Sequence, residues 1–387
     1  MEAEVWILGG TGRSGRVIAT ELMARGLTPV LVGRNPTRLA EAARAITQQA
    51  TEATFDIKIE PRTLVAASID DMAAAIQRDR PAVVINTVGP FATTAKPIAR
   101  ACLAAGSHYV DLANDVAAVT TVLSLNEQAH AASRTLVTGA GFGVTATESV
   151  VVQLMRQQPP DRETPKNARV DMIPSLTTEP GPLGEALAAT IVDGFPDAKG
   201  RGRYQGRRYE NGLLSKARLA GDPVTLTLPD GSNVTTSAMP LGELVAAQRA
   251  SGAPNVISAS SEIPASLAVR VILPVATTLL AIDPIRALAR RRLAQLNLKP
   301  RERPRPHSWA HARLEWSDGT TREGWLRLGD AQAFTGAVPA EVARRLLDGQ
   351  GRPGANTPAA LFGPSLAESC GAEYLISDQE SALPKLG

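Results

Sequence analysis

The feature that most constrains this chain is a glycine-rich run placed directly after its first apolar segment. Val5–Leu8 has the composition of a buried strand, and Gly9 and a GxGxxG pattern follow it. Between a strand and a helix, the first glycine of this pattern allows a tight turn, the second lets the backbone approach a pyrophosphate, and the third lets the helix pack closely on the strand. The N–H groups at the start of that helix attract phosphate oxygens. The run therefore predicts a dinucleotide-binding turn with the cofactor-binding residues Gly10, Thr11, Gly12, Arg13, Ser14 and Gly15.

The first 140 residues alternate short β-branched runs with alanine-rich amphipathic runs. The predicted strands are Val5–Leu8, Pro29–Val32, Ala82–Asn86, His108–Leu112 and Thr135–Thr138, with a further strand within Phe55–Ala67. The predicted helices are Gly15–Arg25, Pro36–Thr47, Asp70–Arg78, Ala95–Ala105 and Val116–Ala132. This alternation is typical of the α/β class, and it predicts a Rossmann doubly wound parallel sheet with helices on both faces.

The pattern changes after about residue 140. A polar run from Pro159 to Asn167 has the composition of a linker, and mixed or antiparallel strands and then helices are predicted beyond it. The predicted strands are Val170–Ile173, Val224–Leu228 and His311–Trp316, the hairpin turns are Asp230-Gly231 and Asp318-Gly319, and the C-terminal helices are Pro339–Leu347 and Pro358–Cys370. We therefore expect a Rossmann domain over residues 1–140, an inserted second α/β (α+β) domain for substrate and dimerisation over 141–335, and C-terminal helices over 336–387 that pack back on the Rossmann domain.

The residues after the second strand indicate which dinucleotide binds. A site for NAD usually has an aspartate or glutamate here, which accepts hydrogen bonds from the adenosine ribose hydroxyls. This chain has Arg34, Asn35 and Arg38, and its first acidic residue in this region is Glu41. A guanidinium binds a 2′-phosphate and a carboxylate repels one. The sequence therefore predicts NADP(H) as the cofactor, with Arg34, Asn35 and Arg38 among the residues that bind it.

The carboxyl ends of later strands supply the remaining candidates, because such ends line the ligand crevice of an open parallel sheet. The residues expected to contact the cofactor there are Val88, Gly89, Pro90 and Phe91. The candidate catalytic residues are Asp111, Asn114 and Tyr109, since a carboxyl group at this place can act as a general acid or bind an iminium nitrogen. Two alternatives are that Asp111 caps the next helix or pairs with an arginine, and that Tyr109 belongs to the core.

Composition excludes several function classes. Hydrophobic residues make up 44% of the chain and charged residues 20%, which is the composition of a soluble globular protein with a sizeable core. Aromatic residues make up 4% and the net charge is +3, so the composition gives no support for a nucleic-acid partner. Two cysteines and the lack of an HExxH pattern predict no metal site. We expect a cytoplasmic protein with no transmembrane segment, because no apolar run reaches the ~20 residues of a spanning helix and the N-terminus lacks a signal pattern. The Tyr-x-x-x-Lys pattern of short-chain dehydrogenases does not occur.

Two short stretches concentrate positive charge outside the predicted Rossmann domain. Lys199–Arg218 has seven basic residues against one acidic residue, and Arg286–Arg305 has eight against one. Either stretch could attract an anionic substrate or an acidic carrier protein, but such a charge run is usually a solvated face.

Four segments carry a resemblance to a known family: Gly9–Gly15, Val88–Phe91, Ala105–Leu112 and Gly139–Gly143. In sequence and spacing they resemble the saccharopine dehydrogenase-like oxidoreductases, which include trans-acting enoyl reductases. The chain departs from the family at Ala113-Asn114-Asp115, where a Gly-Glu pair is common, and at Gly143–Ala146, where the family commonly has Asp-Ser-x-Pro. Both departures lie where a substrate or a catalytic acid is expected.

The resemblance implies an NADPH-dependent reductase that acts on a C=N (imine) or C=C (enoyl) bond of a small metabolite. The metabolite would be free or bound to a carrier protein or CoA, and we expect a homodimer. Two alternatives are kept open. One is an opine-type dehydrogenase that oxidises a secondary amine, and the other is a non-catalytic NADPH-binding sensor or scaffold.

Overall fold

The computed structural model describes most of the chain, in two compact units. The described residues are 4–54, 60–159, 163–177, 181–183, 188, 192, 206–218, 220–262, 279–280, 282–298, 302–376 and 381–382. The first unit comprises Met1–Thr145 and Gln332–Cys370, and the second comprises Ala146–Ala331 and Gly371–Gly387.

The first unit is built on one parallel sheet. Its strands are β1 (Val5–Leu8), β2 (Pro29–Gly33), β3 (Arg62–Val65), β4 (Val83–Asn86), β5 (His108–Asp111), β6 (Thr135–Val137) and β17 (Gly354–Asn356). Their order is β17-β6-β5-β4-β1-β2-β3, and every neighbouring pair is parallel. The chain leaves β1 towards β2 and β3 and returns to β4 on the other side of β1. This reversal is the topological switch point beside which open α/β sheets bind ligands, and it confirms the predicted Rossmann fold.

Helices connect these strands. They are α1 (Arg13–Ala24), α2 (Pro36–Thr54), α3 (Ile69–Asp79), α4 (Phe91–Ala105), α5 (Val116–Leu123), α6 (Asn126–Ala131) and α7 (Phe142–Arg156), and later in the chain α10 (Ala331–Leu347), α11 (Pro358–Phe362) and α12 (Ser365–Ser369). Side-chain hydrogen bonds explain where α3 begins. At α3 the Ser68 hydroxyl accepts the N–H of Asp71 while the Asp71 carboxylate accepts the N–H of Ser68, a capping box.

Two helices are longer than predicted, since α2 ends at Thr54 and α4 begins at Phe91, and three further predictions differ more strongly from the structure. The helix predicted over Val116–Ala132 is two helices, α5 and α6, with the break at Ser124 and Leu125. The one predicted over Pro358–Cys370 is also two, α11 and α12, because Gly363 and Pro364 separate them. The helix predicted from Pro339 begins at Ala331, so that this proline lies inside α10.

The second unit is built on a ten-stranded mixed sheet. Its strands are β7 (Asn167–Ile173), β9 (Gly206–Glu210), β10 (Leu213–Ala217), β11 (Val224–Thr227), β12 (Asn233–Ala238), β13 (Asn255–Ser260), β15 (Ser308–Glu315), β16 (Thr320–Leu328), β18 (Glu373–Ile376) and β19 (Ser381–Ala382). The main order is β10-β9-β13-β7-β15-β16-β18, in which only β13 and β7 run parallel. β12 pairs with both β11 and β13, and β19 pairs with β16.

The predicted strands and hairpin turns of this unit are present. Asp230-Gly231 joins β11 to β12 and Asp318-Gly319 joins β15 to β16, with φ of +84° at Gly231 and +85° at Gly319. The helices here are α8 (Gly242–Ser251) and α9 (Asp283–Ala294), and β8 (Gly181–Pro182) pairs with β14 (Asn297–Leu298). Among the described residues, no helix is both long and apolar enough to span a bilayer.

Candidate cofactor site

The glycine-rich loop lies between β1 and α1 and is fixed by close backbone packing. The N–H groups of Gly9 and Gly10 both donate to the Val32 carbonyl oxygen, at 2.9 and 3.2 Å. Gly9 has a φ of +79°, and a Cβ on Gly10 would lie 2.9 Å from Cβ of Leu31. The left-handed conformation of this tight turn occurs at Gly9, and Gly10 is needed because the loop passes directly over β2.

Gly12 and Gly15 serve different purposes. A Cβ on Gly15 would lie 2.5 Å from the Gly9 carbonyl oxygen and 2.9 Å from Cα of Gly10, so the close approach of α1 to the loop requires glycine there. A Cβ on Gly12 would meet only the Gly9 carbonyl oxygen, at 3.2 Å, among the described residues. Gly12 also has ordinary φ and ψ of −74° and 165°. The backbone conformation therefore does not require glycine at this position, and only one backbone oxygen opposes a Cβ there, whereas a ligand lying against the loop would exclude a side chain altogether.

The N-terminus of α1 is suited to an anion. Its N-cap is Gly12, which has no side chain with which to cap the helix, and the first turn contains no acidic residue. Ser14 lies in that turn, and its hydroxyl accepts a hydrogen bond from Nε2 of Gln332 at 3.3 Å. The N–H groups and the positive end of the helix dipole favour a phosphate at this place.

The residues after β2 lie on the surface. Arg34, Asn35 and Arg38 are all exposed. The Asn35 side chain accepts the N–H of Arg38 at 3.0 Å and so caps the start of α2, a structural role that the sequence analysis did not give it. Because β2 is the neighbour of β1, Arg34 lies at the same edge of the sheet as the glycine-rich loop.

The loop after β4 adjoins the glycine-rich loop. A Cβ on Gly9 would lie 2.6 Å from Oγ1 of Thr87, and that hydroxyl donates to the Leu8 carbonyl at 2.7 Å. The residues that follow, Val88, Gly89, Pro90 and Phe91, are half-buried, and the Gly89–Pro90 peptide is cis. Pro90 is the N-cap of α4. The topology thus brings together the residues predicted from β1, β2 and β4.

Tyr109 and Asp111 lie in a buried polar network at the ends of β4, β5 and β6. Tyr109 donates to Asp111 at 2.8 Å and accepts a hydrogen bond from Nδ2 of Asn86 at 3.3 Å. The other Asp111 oxygen accepts hydrogen bonds from the Thr138 hydroxyl and from the N–H groups of Gly139 and Ala113. All three of Asn86, Tyr109 and Asp111 have no exposed surface.

This network ties the loops after three neighbouring strands to one carboxylate. Burial raises the pKa of Asp111, and the four hydrogen bonds it accepts oppose that rise. Burial, followed by the charge of Asp111, raises the pKa of Tyr109. Asn114 is half-buried beyond β5, and the next residue, Asp115, caps α5 by accepting the N–H of Ala118. The catalytic roles given to Asp111, Asn114 and Tyr109 stay predictions.

Asn86 and Thr138 are the network members that the sequence analysis missed. Each is a polar residue at the carboxyl end of an apolar strand, on either side of the strand that ends in Asp111. That pattern is visible in the sequence, but the hydrogen bonds depend on the strand order. In the described part of the chain, no group of three or more His, Cys, Asp or Glu residues is arranged to hold a metal ion.

Comparison with known proteins finds similar sequences, mainly for the first unit. Residues 5–137 match the model of the saccharopine dehydrogenase NADP-binding domain. A trans-acting enoyl reductase of Mycobacterium bovis is 25% identical over 242 residues, which are 62% of this chain and 53% of that protein. The corresponding protein of Mycobacterium leprae is 28% identical over 166 residues, 42% of this chain and 37% of its own length. The chain spans about half the length of the curated relatives it matches first.

One solved structure supports the fold of the whole chain. The apo saccharopine dehydrogenase (L-Glu forming) from Saccharomyces cerevisiae superposes with a TM-score of 0.58, covering 97% of this chain and 100% of its own. The two sequences are 12% identical, so this likeness concerns the fold alone.

Proposed function

We propose that the chain is an NADPH-dependent reductase of a C=N or C=C bond, because residues 5–137 match the model of the saccharopine dehydrogenase NADP-binding domain. The observation that carries the proposal is the glycine-rich loop: Gly12, whose backbone conformation does not require glycine, lies at the N-terminus of α1, which no side chain caps. A pyrophosphate against that loop accounts for both features.

The cofactor residues act in two ways in this proposal. The loop Gly10–Gly15 holds the pyrophosphate, and Arg34 with Arg38 holds the adenosine 2′-phosphate at the edge of the sheet. The buried network of Asn86, Tyr109 and Asp111 keeps the loops after β4, β5 and β6 in place. When bound, NADPH supplies the hydride, and the protein excludes water and orients the reacting bond.

The choice between NADPH and NADH tests the cofactor half of the proposal. A charge-assisted contact between a guanidinium and phosphate contributes on the order of 1.5–3 kcal/mol, so we expect NADPH to bind at least roughly tenfold more tightly than NADH. Arg34→Ala should remove most of that preference and leave NADH affinity nearly unchanged. Calorimetric titration with both nucleotides measures this.

A second arginine gives the control for this experiment. Arg44 lies further along α2, is exposed, and donates from Nε to the Ala40 carbonyl oxygen of its own helix at 3.3 Å. Arg44→Ala carries the same loss of charge and should keep the full preference for NADPH. Equal affinities of the unmutated protein for NADPH and NADH would contradict the argument from the end of β2.

The substrate class in this proposal is supported by the names of similar proteins. Proteins named trans-acting enoyl reductases match 62% of this chain, which favours an enoyl group, free or carried on CoA or a carrier protein. An imine is the alternative that the saccharopine dehydrogenase likeness suggests. NADPH oxidation followed by absorbance, with crotonyl-CoA in one assay and a cyclic imine in another, separates the two.

The same assay addresses the other functions. An opine-type dehydrogenase would reduce NADP⁺ with a secondary amine, and a sensor or scaffold would bind NADPH without oxidising it. A homodimer and a cytoplasmic location stay predictions, which light scattering and fractionation can measure.

The two basic stretches give limited support to an anionic partner. Residues 199–205 and 299–301 lie outside the described residues, and in the first stretch Arg208 forms ion pairs with Glu210 and Asp222. In the second stretch Arg291 and Arg292 are exposed on α9.

A further inference from the structure

The start of α10 lies against the glycine-rich loop within the first unit. Nε2 of Gln332, in the first turn of α10, donates to the Ser14 hydroxyl at 3.3 Å, although the two residues are 318 positions apart in the sequence. One turn further along α10, a Cβ added to Gly336 would overlap a methyl carbon of Val17 on α1. This close packing of the two helices fixes the backbone of Gln332 relative to Ser14.

The same turn of α10 also contacts the loop after β6. The Thr335 hydroxyl accepts the N–H of Phe142, the first residue of α7, at 3.2 Å. Phe334 packs edge-to-face on Phe142, with ring centroids 6.3 Å apart. The loops after β1 and β6 follow the carboxyl ends of strands in the same parallel sheet, which is the edge where such sheets bind ligands. The first turn of α10 therefore joins two loops of the candidate cofactor site.

The hydrogen bond from Gln332 leaves the Ser14 proton available. A serine hydroxyl has one proton to donate and accepts through the lone pairs of its oxygen. Because the Ser14 oxygen accepts from Gln332, its own proton points in another direction. Within the described ranges of the chain, no acceptor of the protein takes that proton. Ser14 is half-buried in the first turn of α1, next to the backbone N–H groups that favour a phosphate.

The charges of the two helix starts agree with an anion at this place. The first turn of α1 and the first turn of α10 both lack acidic residues. A carboxylate at position 332 would accept the Ser14 proton and repel a phosphate, whereas the amide of Gln332 donates and carries no charge. Glutamine is thus a residue type that leaves the hydroxyl free to bind an anion.

We propose that Gln332 is a positioning residue of the cofactor site, which turns the Ser14 proton towards the pyrophosphate by donating to the Ser14 oxygen. The inference rests on the site proposed above at the glycine-rich loop, and it adds a residue from the C-terminal part of the chain to that site. The pyrophosphate is common to NADPH and NADH. Gln332 therefore acts on the affinity for both nucleotides, whereas Arg34 acts on the preference between them.

A double-mutant cycle in the full chain tests this inference, with the Kd of NADPH and of NADH measured by calorimetric titration. Ser14→Ala removes the hydroxyl, and we expect both affinities to fall about tenfold, as for loss of a hydrogen bond to a charged group. Gln332→Met keeps the length of the side chain but removes its donor, and should weaken both nucleotides about three- to tenfold. The double variant should bind like Ser14→Ala alone, because Gln332 acts through the hydroxyl.

Two further variants make the result specific. Gln350→Met is the matched control, because Gln350 is exposed and follows the opposite end of α10, and it should leave both affinities unchanged. Gln332→Glu should weaken both nucleotides more than Gln332→Met, because its carboxylate accepts the Ser14 proton and adds a negative charge near the phosphates. The ratio of the NADPH and NADH affinities should stay the same in all of these variants.

Several outcomes would overturn the role of Gln332. Unchanged affinities in Gln332→Met would do so, and so would an effect that adds in full to that of Ser14→Ala. A purely structural residue would instead lower the melting temperature of the nucleotide-free protein without coupling to Ser14.

Failure of the proposed site gives a different result. If Gly12→Val binds both nucleotides normally, the glycine-rich loop is not the cofactor site and this inference fails with it. If Gly12→Val loses binding and Gln332→Met does not, only the role of Gln332 is overturned.

Discussion

At the scale of single residues, two glycines of one loop are expected to respond in opposite ways to an added side chain. Gly12→Val places branches where the pyrophosphate lies, so we expect binding of both NADPH and NADH to be lost. The backbone at Gly12 is ordinary and an added Cβ would be close to one atom only, the Gly9 carbonyl oxygen at 3.2 Å, so the melting temperature should change by only a few degrees.

Gly15→Ala is the matched comparison. Its Cβ would meet backbone atoms at 2.5 and 2.9 Å, which cannot move independently of the loop. We expect a loss of stability of about 1–3 kcal/mol, as for other overpacked sites, which differential scanning calorimetry detects. Normal NADPH affinity in Gly12→Val would mean that the nucleotide lies elsewhere.

At the scale of elements, α10 is held to α1 and α12 by a cluster of ions around Glu341. The carboxylate of Glu341 accepts hydrogen bonds from Nε of Arg345 at 2.8 Å and from Arg344 at 2.8 and 2.9 Å. Arg25, the residue that follows α1, forms an ion pair with the same carboxylate, and its Nε lies 3.5 Å from Oε2 of Glu341. Arg345 also bonds to Ser369 at 2.8 Å on α12. Packing between α10 and α1 is close as well, since a Cβ on Gly336 would lie 2.3 Å from a methyl carbon of Val17.

Glu341 should make stability depend on pH in the acid range. Burial raises its pKa, but the hydrogen bonds and charges of Arg344 and Arg345 outweigh burial and lower the pKa from 4.5 to about 2. A carboxyl whose pKa is lowered on folding stabilises the protein above its unfolded pKa, and that contribution is lost as pH falls from about 4.5 to about 2. After allowance for solvent around Arg344, we expect Glu341→Gln to cost on the order of 2 kcal/mol at pH 7.

Denaturant unfolding at several pH values measures this, and a second carboxyl gives the control. Asp348 pairs with Arg344 at 2.6 Å but is 46% exposed. Asp348→Asn should cost no more than about 0.5 kcal/mol. A Glu341→Gln penalty that is equally large at pH 2 would show that the ion pairs do not cause it.

At the scale of the whole molecule, NADPH is expected to stabilise the first unit. Ligand at a hundred times its Kd adds about 2.7 kcal/mol, which corresponds to a rise in melting temperature of roughly 5–10 °C. Hydrogen exchange then locates the effect. Protection should increase in the amides of α1 and of the loops after β1, β2 and β4, and stay unchanged in β7 and β15. Protection confined to the second unit would contradict the site proposed here.

The division of the chain into two compact units is also a property of the whole molecule. The first unit takes residues 332–370 from the C-terminal part, whereas β18 at Glu373–Ile376 pairs with β16 in the second unit. The expected block of helices over 336–387 therefore includes a strand of the second sheet. The domain boundaries predicted at residues 140 and 335 stay a prediction.

The sequence by itself determined the features that depend on local chemistry. The GxGxxG spacing, the apolar runs of β1, β2 and β4, the Ser68 capping box and the two Asp-Gly turns each follow from neighbouring residues, so they could be predicted. The arginine after β2 could be recognised for the same reason. A helix break such as that at Ser124 was missed, because no glycine or proline marks it.

Only the tertiary structure decided what distant segments do together. The short strand β17 joins β6 across more than two hundred residues of sequence, and no local pattern distinguishes it from a loop. The sequence placed a carboxyl at the end of β5, but the strand order surrounds Asp111 with four donors and leaves it no free oxygen. Asp171 and His311 are 140 residues apart and meet only because β7 and β15 are neighbours. Hydrogen bonds between strands depend on topology, which is a property of the whole chain.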